Sequence, residues 1–231
     1  MEWNLYIDVM RRIPDLISGA GLTLNLVAVS SLTGLFMAVP LAFMRSSRNL
    51  ALRVPAFFYI YLFRGTPLMV QLFLIYYGLG QFEAVTQSLL WPWLREAYWC
   101  AVISFSLNTA AYTAEILRGG IEAVPFGEVE AARAVGMNRM QLFRHIILPR
   151  AFRFAFPAYG NEIILMIKAS ALVSLITLLD LMGMARQIFS RTFALEIFLY
   201  AAVIYLIIAF VFVRGWYLIE RWLNRHLVHS S

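Results

Sequence analysis

The sequence predicts an all-α integral membrane protein with five transmembrane helices, its N-terminus outside and its C-terminus in the cytoplasm. Three observations carry that prediction. Of 231 residues, 61% are hydrophobic and only 14% are charged, with a mean hydropathy of +0.73; a soluble domain carries roughly a quarter charged residues. Five apolar runs each reach the ~20 residues that cross a bilayer as a helix. The arginines fall between those runs in the asymmetric pattern of the positive-inside rule. The length suits a single domain. The net charge of +6 then reflects topology, and nucleic acid is not an expected partner.

Residues 1–18 read as an interfacial segment. Trp3, Tyr6, Val9, Met10 and Ile13 fit an amphipathic helix lying on the membrane surface. The stretch is polar and mixed, with no compact apolar run or small-residue cleavage site, so no cleavable signal peptide is expected. The five spans are 22–44, 54–79, 97–117, 158–179 and 194–213. The segments after spans one, three and five hold twelve arginines, and the other side holds five, Arg11, Arg12, Arg95, Arg186 and Arg191. The larger set belongs in the cytoplasm. The outer loop 81–96 contains Trp91-Pro92-Trp93, suited to the headgroup region, and the outer loop 180–193 is expected to be partly helical. The single Cys100 excludes an internal disulfide and reads as a small apolar residue. Five spans do not divide into two equal inverted halves, which argues against a typical secondary transporter.

The segment 128–149, EVEAARAVGMNRMQLFRHIILP, differs from the rest of the chain. It is arginine-rich and sparsely apolar, and lies between spans three and four on the inner side. Glu130, Ala131, Ala132, Arg133 and Ala134 favour a helix. Gly136 sits where a helix ends in a left-handed cap. Asn138 then caps a second helix, 138–145, with Gln141 in capping-box spacing. That helix carries Met140, Phe143, Ile146 and Ile147 on an apolar stripe, with Arg139 and Arg144 opposite. Pro149 is expected to end it.

Polar residues inside the spans are functional candidates, because they are expensive there. In span three, Ser104, Asn108, Tyr112 and Glu115 share one helical face. Either they bond neighbouring helices or they line a solute pathway. In span four, Asn161 and Lys168 lie two turns apart on one line, while Glu162, Ser170, Ser174 and Thr177 occupy a neighbouring face. Such a helix suits a water-filled cavity, or else Glu162 and Lys168 pair with other spans. In span two, Phe63-Arg64-Gly65-Thr66-Pro67 interrupts the apolar run. Arg64 is expected to be a buried structural residue fixing the kink, or to hold freed carbonyls or a carboxylate. His145, His226 and His229 show no metal-ligand spacing, so no metal site is expected. The chain has no phosphate loop and no nucleophile–base arrangement, so it is not expected to be an enzyme.

Glu130-Ala131-Ala132, Gly136, Ile146, Leu148 and Pro149 fit the pattern EAA-x3-G-x9-I-x-LP. This resembles the signature of the permease subunits of binding-protein-dependent ABC importers. Arg64-Gly65-Thr66-Pro67, Leu107-Asn108-Thr109, Ala114-Glu115, Val124-Pro125-Phe126-Gly127, Pro157-Ala158-Tyr159, Asn161-Glu162 and Ser170-Ala171-Leu172 are similar to the polar amino-acid branch, most of all the M-type subunits of histidine/lysine/arginine/ornithine and opine uptake systems. The resemblance implies one importer transmembrane domain over 1–231, with a permease core at 19–225. It implies a coupling helix in the loop 128–149, set in a cleft of an ATPase. Glu130, Ala131, Ala132, Gly136, Asn138, Arg139, Met140, Phe143, Arg144 and Pro149 would form that contact. Its implied partners are two ABC ATPase subunits, a second related permease, a periplasmic solute-binding protein, an amino acid and the lipid of a bacterial inner membrane. ATP and Mg would be bound by the ATPase, with no cofactor in this chain. The substrate pathway would run past Arg64, Asn108, Tyr112, Glu115, Glu162, Lys168, Ser170 and Ser174. Basic amino acids or opines suit Glu162. A neutral or acidic polar amino acid is the alternative substrate, and a membrane enzyme or ungated channel the alternative class.

Overall fold

The computed structural model describes residues 11–225. Among them every regular element is helical: α1 (Ile13–Ser46), α2 (Leu50–Gly65), α3 (Leu68–Phe73), α4 (Glu83–Thr86), α5 (Trp91–Leu94), α6 (Ala97–Glu122), α7 (Phe126–Ala134), α8 (Arg139–Leu142), α9 (Leu148–Ala169), α10 (Leu181–Thr192) and α11 (Glu196–Asn224). Four stretches are long and apolar enough to cross a membrane: Ile13–Ser46, Ala97–Glu122, Arg139–Ile176 and Glu196–Asn224. The bent pair Leu50–Gly65 and Leu68–Gln81 makes a fifth if it counts as one span.

Helix α1 has 34 residues, about 51 Å at 1.5 Å per residue, well beyond a hydrocarbon core of ~30 Å. The expected boundary between an interfacial segment and the first span therefore shifts. Residues 13–18 continue the first span, because Leu16 and Ala20 have a buried partner surface in Leu181, Ala185 and Ile188 of α10 and Ile197 of α11. Trp3, Tyr6, Val9 and Met10 lie outside the described residues.

The core is the pairing of α1 with α6. In lipid there is no hydrophobic drive between helices, so association depends on close packing of small residues. Gly34, Ala38 and Ala42 recur every four residues along α1 and are buried, as are Ala110, Ala111 and Ala114 of α6. A Cβ at Gly34 would run into the Thr109 side chain and lie 3.1 Å from the Ser106 carbonyl. Thr33 and Ser106 share a hydroxyl–hydroxyl hydrogen bond at this crossing. Helix α9 meets α6 as closely: a Cβ at Gly120 would lie 2.6 Å from the Ala151 carbonyl. Helix α11 docks on α9 by Trp216, whose ring stacks on Phe156 at 4.3 Å and whose Nε1 donates to the Phe156 carbonyl at 3.1 Å.

One expectation is sharpened and two need correction. The break expected at Pro67 is a corner, turning by 101° between Leu50–Gly65 and Leu68–Gln81. Pro149 does not end its helix: Arg139–Ile176 runs on as one element. A π-turn at Phe143–Ile147 precedes the proline, with the Leu148 amide bonded to the Phe143 carbonyl five residues back. That widened turn displaces the carbonyls a proline ring would otherwise meet. Finally, span four leaves α-helical register after Ala169, continues as a 3₁₀ segment Ser170–Ile176 and stops at Thr177, φ 71°. Ser170, Ser174 and Thr177 thus do not extend the face of Glu162.

Gly34→Leu is expected to destabilise the purified protein by about 1–3 kcal/mol through overpacking, read as a lower unfolding temperature in detergent. Gly21→Leu, where a Cβ meets nothing within 4 Å, should leave it unchanged. Equal effects would remove the α1–α6 crossing as the core of the fold.

Candidate functional site

The corner in the second span starts from Pro67. Its nitrogen carries no hydrogen, so the Phe63 carbonyl loses its helical donor. Thr66 is extended at φ −113°, ψ 144°, as a residue before proline tends to be. Side chains cover the freed oxygens. Thr66 Oγ1 donates to the Leu62 carbonyl at 2.8 Å. Gln71 Nε2 donates to the Phe63 carbonyl at 2.9 Å, the Thr66 carbonyl at 3.1 Å and Thr66 Oγ1 at 2.8 Å. Asn108 Nδ2, from α6, donates to the Phe63 carbonyl at 3.2 Å and to Gln71 Oε1 at 3.1 Å. Gln71 is buried. Sequence reasoning missed it, although an amide four residues past a proline, inside an apolar run, is a readable signal.

Arg64 takes no part in this, contrary to the expectation of a buried or carbonyl-holding arginine. Gln71 and Asn108 already fill those carbonyls, and Arg64 stands exposed beside the corner, where its charge acts on the Glu162 carboxylate as the other alternative expected. Its guanidinium lies over the Tyr112 ring at 5.1 Å. Both border an open depression of about 340 Å³, shared with Ile60, Tyr61 and Gly65.

The polar face of α6 is occupied partly by bonds within the helix and partly by bonds to its neighbours. Ser104 donates to the Cys100 carbonyl at 2.7 Å. Glu115 accepts from Arg118 at 2.8 Å and lies 3.5 Å from Arg45 of α1. Thr109 Oγ1 donates to Glu162 Oε1 at 3.2 Å, and Glu162 is only 7% exposed. Among the described residues Glu162 thus faces Thr109 of α6 and not the water-filled cavity expected beside it. Tyr159 ties the same helix to α1, donating to the Ser31 carbonyl at 3.1 Å. Ser170 is buried and donates to the Ile167 carbonyl at 2.7 Å. Ser174 donates to the Ala171 carbonyl at 2.8 Å and accepts from Arg186 at 3.3 Å. By contrast Asn161 and Lys168 are both exposed on one line of α9, as their spacing predicts. Lys168 makes no ion pair among the described residues.

Asp180 was also missed. It is fully buried and caps α10, accepting from the Gly183 amide at 2.8 Å, and it accepts from the Tyr205 hydroxyl at 3.2 Å. Burial pushes its carboxyl up, and the amides of Gly183 and Met182 and the Tyr205 hydroxyl draw it back down. In sequence it looks like any loop aspartate.

The loop is fixed at each joint. Gly136 adopts φ +82°. Its amide bonds the Arg133 carbonyl at 3.0 Å, and the Met137 amide bonds the Ala132 carbonyl at 3.1 Å, the paired bonds of a Schellman cap. The expected capping box is complete: the Gln141 amide donates to Asn138 Oδ1 at 2.9 Å and the Asn138 amide to Gln141 Oε1 at 3.0 Å. Arg150 grips Glu128 through two bonds, 2.8 and 2.9 Å, tying α7 to the start of α9; no local pattern announces a pair so far apart in sequence. Ala132 and Leu142 are buried. The apolar stripe divides. Phe143 turns inward against Phe43 of α1 at 5.8 Å, while Met140 is 71% exposed. Glu130, Ala131, Arg139, Arg144 and Pro149 are exposed.

An all-helical bundle with a corner in one span and a twice-capped helical loop before the next long helix invites comparison with transport proteins. Residues 30–225 match the family described as binding-protein-dependent transport system inner membrane component. The chain belongs to this family. The chain is 52% identical over 219 residues to the octopine transport system permease protein of Rhizobium meliloti, spanning 94% of this chain and 86% of that one. It is 44% identical over 216 residues to the histidine/lysine/arginine/ornithine transport system permease protein of Salmonella typhimurium, spanning 93% and 91%. Its fold matches a chain in a crystal structure of an amino acid ABC transporter with histidines at a TM-score of 0.85 and 38% identity, covering 93% of this chain and 97% of that one. The family read from the EAA-type pattern is the one found, and both relatives are transport permeases.

Gln71→Leu orphans the Thr66 carbonyl, at about 1–3 kcal/mol, and also removes a partner from Thr66 Oγ1 and Asn108 Nδ2, while the Phe63 carbonyl keeps its Asn108 donor. Thermal unfolding in detergent should show a large loss. Asn108→Ala should cost less, because the Phe63 carbonyl keeps its Gln71 donor. The reverse ranking would mean that Asn108, not Gln71, holds the corner.

Proposed function

We propose that the chain is one of two permease subunits of an ATP-driven amino-acid importer in a bacterial inner membrane, with its N-terminus outside and its C-terminus in the cytoplasm. The observation that carries this reading is the loop 128–149. Two residues of the EAA-type pattern have a mechanical task there, Ala132 packing inward and Gly136 supplying the left-handed turn, and the helix after Asn138 runs without a stop into the span. An element so fixed suits force transfer. Met140 and Arg139 face outward to meet an ATPase, and Glu130 and Ala131 stand on the exposed side of α7. Phe143 anchors the element to α1 instead of meeting the ATPase. ATP and Mg belong to two ATPase subunits, and a periplasmic binding protein delivers the solute. ATP-driven closure moves the loop, and access to the pore alternates.

Solute passes along the exposed polar groups: Arg64 over Tyr112 at the corner, and Asn161 and Lys168 on α9. Asn108, Glu115, Ser170 and Ser174 hold the frame of that pathway. Glu162 lies behind it and supplies negative charge. Basic amino acids or opines are the substrates that this charge and the names of the relatives favour. A second related permease completes the pore.

Two experiments test the reading. Gly136→Val forces a β-branched residue into left-handed backbone, a strain of about 1–2 kcal/mol. Membrane insertion should persist, while uptake and ATPase co-purification fall by about tenfold, the rate equivalent of ~1.4 kcal/mol; normal uptake would undo the coupling role. Glu162→Gln retains an oxygen for Thr109 and removes the charge. Uptake of arginine should fall more than uptake of glutamine in reconstituted transporter of unchanged stability. Equal losses would remove Glu162 from substrate selection.

A further inference from the structure

We propose that the groove between the inner ends of α1, α6 and α9 binds one acyl chain of an anionic phospholipid from the cytoplasmic leaflet. The inference rests on the topology proposed above. The groove holds about 100 Å³ and every residue lining it is apolar, among them Val39, Phe43, Leu117, Phe143, Leu148 and Phe152. Water needs two or more polar partners to occupy such a space, and none is offered. Phe43, Leu148 and Phe152 are each about half exposed at the mouth. The apolar filler at hand in a bilayer is a lipid chain.

The rim selects the headgroup. Arg45 and Arg118 are neutralised by Glu115 and Glu122, and Arg150 by Glu128. Arg144 and Arg48 are exposed and make no ion pair among the described residues. Arg144 directly follows Phe143, which lines the groove. Arg48 follows two residues after the end of α1, the helix that carries Val39 and Phe43 of the lining. Basic residues beside a gap between helices on the cytoplasmic side suit an anionic lipid headgroup. A chain seated there packs on Phe43 and Phe143 together, and so braces the loop against α1.

The test uses the complete transporter in vesicles of phosphatidylcholine and phosphatidylglycerol in equal amounts. A photoreactive benzoylphenylalanine replaces Phe152, or Leu206 on the exposed side of α11, and adducts are identified by mass spectrometry. At 152 the adducts should be lipid, enriched several-fold in phosphatidylglycerol; at 206 they should follow the bulk composition. Arg48→Gln with Arg144→Gln should return the ratio at 152 to bulk. Adducts at 152 to the second permease or the ATPase, or an unenriched ratio, overturn the site. Lipid adducts at 206 with none at 152 overturn the site alone. Labelling at position 138 of the Asn138→Cys variant from the outside of intact cells overturns the topology beneath it.

Discussion

The structure depends on one close approach, that of α1 to α6 at Gly34. Because Gly34 has no side chain, the Thr109 methyl occupies the space where a Cβ would stand. Thr109 turns its hydroxyl the other way, to Glu162 of α9. Three helices thus meet through a glycine, a threonine and a carboxylate. In a bilayer the helices gain little by hiding apolar surface from each other, so backbone proximity and a buried hydrogen bond must hold them. The small residues above and below Gly34 extend the same contact along both helices.

Helix α6 then serves as the post against which irregular backbone is arranged. Its Asn108 reaches the corner at Pro67, its Tyr112 lies under Arg64, and its Glu115 holds the end of α1. A chain break at membrane depth persists only where freed backbone groups find partners. Here Gln71 and Asn108 supply them, and Arg64 is left exposed beside the turn. The corner and the depression beside it are one construction.

Much of this was legible in the residues. The capping box at Asn138 and Gln141 and the left-handed Gly136 follow from local rules, because a cap is satisfied within three residues of itself. Pro67 announced a break for the same reason. Its angle was not legible, since 101° depends on which donors lie across the bundle. The polar residues of span three were visible as a face, but not the neighbour they face: Asn108 bonds backbone carbonyls that carry no sequence signature. The α-helical register assumed for Ser170 to Thr177 failed because the chain continues there as a 3₁₀ segment, which apolar periodicity does not reveal. Pro149 failed as a stop because a π-turn, invisible to periodicity, prepares its place. The pairs Glu128–Arg150 and Asp180–Tyr205 link distant residues and left no local trace.

The loop and α9 form one continuous mechanical piece: Schellman cap, capping box, π-turn, then α9 to Ala169. The central claim is that this piece moves as a rigid lever when ATP is bound. Pulsed electron paramagnetic resonance between spin labels at Arg139 and Phe154 tests it most directly, in the assembled transporter at rest and trapped with nucleotide. A rigid lever gives one narrow distance distribution, unchanged between the two states. A broadened or shifted distribution would place a hinge at the π-turn and contradict the account.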